Sequence, residues 1–77
     1  PALRYLHEAV RLGSVRSAAE TLETNPSVVS RQIARLEHDL GLDLIERLPR
    51  GIRATEAGQV LVERYRQWSA DQDDALS

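Results

Sequence analysis

Thr24-Asn25-Pro26-Ser27-Val28-Val29-Ser30-Arg31-Gln32-Ile33-Ala34-Arg35-Leu36-Glu37-His38-Asp39-Leu40-Gly41 is the stretch on which the reading of this chain turns. Asparagine is a favoured N-cap, and proline suits the first helical position because its missing N–H has no intrahelical partner there. Glycine commonly stops a helix at the other end. The segment is therefore predicted to be a helix from Pro26 to about Leu40, ended by Gly41. At about 100° per residue, Val29, Ile33, Leu36 and Leu40 fall in one narrow stripe. Ser27, Arg31, Ala34, Arg35 and His38 fall on the opposite side, with Ser30 at its margin. One face has the chemistry of a core. The other is small, polar and basic.

Upstream, Leu3, Leu6 and Val10 are spaced as one face of a helix over residues 3–12, with Tyr5, Ala9 and Leu12 beside them. Gly13 ends that helix, and Ser14 offers an N-cap for a second, short one containing Ala18, Ala19 and Leu22. Paired alanines let a neighbouring helix approach closely. Downstream, Leu42–Arg47 and Ile52–Thr55 read as two short strands joined by the turn Leu48-Pro49-Arg50-Gly51. Thr55 then caps a final helix with apolar positions at Ala57, Val60, Leu61, Tyr65 and Trp68. It reaches to near Asp74, a length of ~30 Å.

Helix, short helix, turn, capped helix, hairpin and long helix make a mainly α winged helix-turn-helix. It has a three-helix core, a small β-hairpin wing and a long C-terminal helix. The predicted division is a reading domain over residues 1–54 and a linker or dimerisation helix over 55–77. In this plan the second helix of the pair enters the major groove, and its N-terminal residues reach base edges. The groove is about 12 Å wide and admits one helix. The leading turn must therefore carry small or hydrogen-bonding side chains. Asn25, Pro26, Ser27 and Ser30 meet that need, and Arg31 and Arg35 follow one and two turns in. Arg50 at the hairpin tip and Arg53 on the return strand suit a narrow minor groove or the phosphates. Arg47 is open between that role and an ion pair with Glu46 or another acid. Arg16, in the first turn of the second helix, is open between a phosphate contact and an ordinary exposed role. Tyr65 and Trp68, with Val60 and Leu61, are expected at a subunit interface, because so small a domain has little core in which to bury them.

Composition bounds the alternatives. The chain has 77 residues, enough for one domain, and a net charge of −2. All ten basic residues are arginine, a side chain whose planar fork suits phosphate and guanine. Arg47, Arg50 and Arg53 lie in a run without acids, whereas Asp71, Asp73 and Asp74 lie in a run without bases. The negative balance is thus expected in the C-terminal tail. The absence of cysteine excludes disulfides and a cysteine zinc site. His7 and His38 are far apart and lack metal-ligand spacing, so no metal and no cofactor is expected. Glu20 with Glu23, like the terminal aspartates, has no convergent nucleophile or base, and no enzyme activity is expected. No stretch approaches the ~18 apolar residues of a membrane span. No basic segment leads into an apolar one as in a secretory signal. The expected location is cytoplasmic. A winged-helix protein-interaction module without DNA binding is the alternative, motivated by the acidic net charge.

Several motifs in order bring a family into view. Ala18-Ala19-Glu20-Thr21-Leu22, then Asn25-Pro26-Ser27-Val28-Val29-Ser30-Arg31-Gln32-Ile33, then Leu36-Glu37-His38-Asp39-Leu40-Gly41 resemble the LysR-type transcriptional regulators. So do Leu44-Ile45-Glu46-Arg47 and Arg53-Ala54-Thr55-Glu56-Ala57-Gly58. The resemblance runs from about Leu3 to about Arg66. It implies DNA binding by residues 26–35, a wing at 44–54, and a linker helix that pairs two subunits. Homodimers, often assembled into tetramers, on interrupted dyad sites in double-stranded DNA are what it leads one to expect. It also implies a separate C-terminal domain for a small-molecule effector, outside this chain. Two departures stand out. Many members carry glutamine where Pro26 stands, so a glutamine-to-base contact does not carry over. Ile45 replaces a frequent phenylalanine, a matter of packing alone.

Overall fold

Helices two, three and four of the chain each begin at a cap that the sequence supplies. The structure is a computed structural model that describes the backbone of residues 2–76 and the side chains of residues 2–70. Helix α1 spans Ala2–Leu12 and α2 spans Val15–Thr21. Ser14 Oγ accepts from the Ser17 amide at 3.1 Å and so caps α2. Helix α3 spans Pro26–Leu40, with Asn25 as N-cap and Gly41 as C-cap. Strands β1 (Ile45–Arg47) and β2 (Ile52–Ala54) pair antiparallel, with Ile45 opposite Ala54, Glu46 opposite Arg53 and Arg47 opposite Ile52. Helix α4 spans Glu56–Leu76, two residues past the expected end. Thr55 Oγ1 accepts from the Gly58 amide at 3.1 Å, which makes it the α4 cap.

The core draws buried residues from all four helices and from β2. Leu6 and Ala9 of α1, Ala18 and Ala19 of α2, Val29 and Ile33 of α3, Ile52 of β2 and Val62 of α4 are all buried, as is Leu44 before β1. Leu6, Ile33, Leu44 and Val29 are the largest fully buried side chains. Each contributes roughly 1.5–3 kcal/mol of hydrophobic stabilisation. The two alanines of α2 let the backbone of that helix come close to its neighbours, as their size predicted. The result is a winged helix-turn-helix.

Three details differ from the sequence reading. The strands are shorter than expected, because Leu42–Leu44 form a loop and Thr55 is committed to capping. Leu40 continues the apolar stripe of α3 yet is 46% exposed. It lies in the last turn, beyond the span over which Val29 and Ile33 are buried. Val62, unremarked in the sequence, is the α4 residue that enters the core, whereas Val60 is 54% exposed.

Two glycines fix how the wing and the last helix seat. Gly51, at the wing turn, has φ +80°, and a Cβ there would collide with the carbonyl oxygen of Gly13. The amide of Ile52 donates to that same carbonyl at 3.0 Å. The wing is thereby tied to the turn between α1 and α2. Gly58, in the first turn of α4, lies so close to Leu44 that a Cβ would overlap the Leu44 carbonyl oxygen. No described helix is long and apolar enough to cross a membrane.

Candidate nucleic-acid interface

The outward face of α3 is the site the sequence pointed to. Pro26, Ser27, Arg31, Ala34, Arg35 and His38 are exposed, while Val29 and Ile33 opposite them are buried. Ser30 is half-buried at the margin, where the helical wheel puts it. Asn25 is fully engaged as a cap through its carbonyl. Its Oδ1 accepts from both the amide and the hydroxyl of Ser27, each at 3.0 Å. The side chain of Asn25 therefore keeps only its NH₂ group for a ligand.

Arg31 and Arg35 stand one above the other. Arg31 Nε donates to the Ser27 carbonyl at 3.3 Å, which lays the side chain back along the helix. Arg35 lies 4.0 Å from Asp39 and is 82% exposed, so that pair is loose. Val28, Arg31, Gln32 and Arg35 line a shallow groove. The sequence reading did not single out Gln32. The signal was present, since Val28–Gln32 and Arg31–Arg35 are two i,i+4 rows side by side on one flank.

The loop after α3 is held by a carboxylate. Glu37 Oε2 accepts from the Leu44 amide at 2.8 Å and from the Ile45 amide at 3.4 Å. It thus links α3 to the wing. The wing presents Arg47, Arg50 and Arg53, all exposed. The ion pair is not the one entertained from the sequence. Arg53, not Arg47, holds Glu46, with Nε to Oε2 at 2.7 Å. Register explains it: Glu46 and Arg53 are direct cross-strand partners and share a face, whereas Arg47 alternates to the other. Arg16 is exposed in the first turn of α2.

On α4 the expected interface residues separate into two groups. Leu61, Tyr65 and Trp68 line one apolar groove with Leu3 of α1 and Arg64. Trp68 is 57% exposed. Val60 lies in a neighbouring, more polar groove with Gln59, Glu63, Arg64 and Gln67. Half-buried His7 packs on Tyr65, ring centroids 5.2 Å apart, and Tyr65 on Trp68 at 6.1 Å. Beside His7, Glu8 accepts two hydrogen bonds from Arg11, at 2.6 and 3.1 Å. Those bonds hold its carboxyl below the usual carboxylate range against the opposing effect of burial. His38 is exposed. The side chains of Asp71, Asp73 and Asp74 lie outside the described residues.

The pattern that describes bacterial regulatory helix-turn-helix proteins of the lysR family matches residues 1–59. The chain belongs to that family. It is 52% identical over 61 residues to y4mQ of Sinorhizobium fredii, an uncharacterized HTH-type transcriptional regulator, a match covering 79% of this chain and 20% of y4mQ. The crystal structure of ArgP from Mycobacterium tuberculosis is similar over 99% of this chain and 28% of that one, with 39% identity and a TM-score of 0.92. The BenM DNA-binding domain in complex with catB site 1 DNA is similar over 96% of this chain and 82% of that one, with 31% identity and a TM-score of 0.88. The chain spans about a fifth of the length of the curated relatives it matches. LysR-type membership and the winged fold thus agree with the reading of the motifs.

Proposed function

We propose that this LysR-family chain reads double-stranded DNA for a transcription regulator, with α3 in the major groove and the wing against the flanking backbone. The observation that carries the proposal is the exposed face of α3. It offers Ser27, Arg31, Gln32 and Arg35 to solvent or groove and no large apolar anchor of the kind a protein-binding surface uses. The likeness to a BenM domain in complex with DNA supports it. Arg31 and Arg35 reach base edges or phosphates, Ser30 and the Asn25 amide sit at the groove wall, and Arg50 reaches toward the minor groove. Arg16 adds a phosphate contact. Two copies pair through α4 along the groove of Leu61, Tyr65 and Trp68, so that the site read is a dyad.

Selection of bound sequences from a random duplex pool tests the proposal and should return an interrupted inverted repeat. Arg31→Ala should weaken binding to the selected site by about 5- to 150-fold, the span of one lost base contact. Its circular dichroism should stay that of the parent. An unchanged affinity would remove Arg31 from the reading surface. No duplex binding at any salt concentration would leave the protein-interaction module standing instead.

A further inference from the structure

The three wing arginines are not equivalent. Glu46 and Arg53 face each other across the hairpin, and their side chains leave the face opposite to that of buried Ile52. The guanidinium and the carboxylate meet at 2.7 Å. Arg47 and Arg50 make no ion pair among the described residues. A guanidinium paired with a carboxylate has part of its charge offset locally. Arg53 keeps its two terminal NH₂ groups for a phosphate, but the anion must then come in beside the Glu46 carboxylate, whose charge repels it.

We infer that Glu46 is a restraint on the wing: it withholds Arg53 from the DNA backbone and so lowers sequence-independent affinity. The inference rests on the DNA-binding reading above. Phosphate contacts position a protein without reading sequence, whereas base contacts specify. A residue that weakens one phosphate contact on the wing, outside the exposed face of α3, raises the ratio of specific to non-specific binding. Glu46 acts through Arg53 and is a positioning residue. An exposed pair of this kind is weak enough to be broken by competition, so the restraint is partial.

The salt dependence of binding isolates this role. Each additional phosphate contact steepens the fall of log Kobs with log salt by about 0.9. The chain, Glu46→Gln, Arg53→Ala and the double variant would be titrated with mixed-sequence duplex DNA across a salt series. Glu46→Gln should bind about two- to fivefold more tightly at low salt, as release of an exposed pair allows. Its slope should steepen by about 0.9. In the Arg53→Ala background the same substitution should leave the slope unchanged. Equal slopes for the chain and Glu46→Gln would overturn the inference. So would an equal steepening with and without Arg53, which would mean that Glu46 acts on DNA by its own charge. In both cases the parent still binds duplex, and the DNA-binding reading stands. A parent that binds no duplex overturns both together. The pair is exposed on both sides, so these variants should keep the parent's circular dichroism.

Discussion

Gly58 of α4 rests directly on the carbonyl of Leu44, the fully buried residue that precedes the wing. The same carbonyl accepts from the Thr55 amide at 3.0 Å, and the Thr55 hydroxyl donates to the Asp43 carbonyl at 2.6 Å. The start of the last helix is thus clamped to the loop that follows α3. The angle at which α4 leaves the three-helix core is set at this contact.

Gly58→Ala measures that clamp. In an open helix the change from glycine to alanine gains about 1 kcal/mol. Here the new Cβ meets backbone, which cannot rotate away as a side-chain end can. Overpacking of this kind costs about 1–3 kcal/mol, and any shift of α4 also weakens the Thr55–Leu44 bond. The expected outcome is a net loss of about 2 kcal/mol, read as a lower urea midpoint at constant m-value. A stabilised variant would show that α4 slides freely over Leu44.

Glu37→Ala probes the link between α3 and the wing. The carboxylate accepts two backbone amides in a half-buried position, and hydrogen bonds to a charged group contribute about 1.5–3 kcal/mol. The 2.8 Å bond to Leu44 carries most of this, since the 3.4 Å bond is long. Alanine should cost about 2 kcal/mol, because it also orphans the Leu44 amide. Glu37→Gln keeps an acceptor oxygen and should recover roughly half of the loss. Equal urea midpoints for the chain and Glu37→Ala would show that water replaces the carboxylate without cost.

The sequence made the helix starts legible because caps are local chemistry. Ser14, Asn25-Pro26 and Thr55 each act within three residues of themselves, so no tertiary knowledge was needed. The face of α3 was legible for a similar reason, since period and exposure agree from Ser27 to Arg35. What stayed hidden was long-range. Leu44 reads as a strand residue and turns out to be a buried loop residue, because its cover comes from elements distant in sequence. Leu40 keeps the period of the stripe but outlasts its cover. The partner of Glu46 depends on hairpin register, and a two-way choice between Arg47 and Arg53 cannot be made without it. Val60 and Val62 differ by a rotation of about 200° on the helix, and only the position of the core decides which one is buried.

Glu23 gives the last test, inside the helix-turn-helix itself. It is the one non-glycine residue among those described with positive φ, at +54°. Its amide donates to the Glu20 carbonyl at 3.3 Å, and the Thr24 amide donates to the Ala19 carbonyl at 2.9 Å. That is the Schellman end of α2, in which glycine usually occupies the left-handed position. A side chain there costs about 1–2 kcal/mol. Glycine relieves the strain but gives back about 0.5–1 kcal/mol through the greater freedom of its unfolded chain. Glu23→Gly should therefore stabilise by about 0.5–1 kcal/mol, a rise in Tm of about 2–8 °C for a domain of this size. Glu23→Asn, which tolerates the left-handed region better than glutamate, should fall between parent and glycine. The backbone path of the turn is unchanged in both, so the approach of α2 to α3 through Ala18 and Ala19 should persist. A fall in Tm for Glu23→Gly would mean that the glutamate side chain itself stabilises the turn by more than the strain it carries.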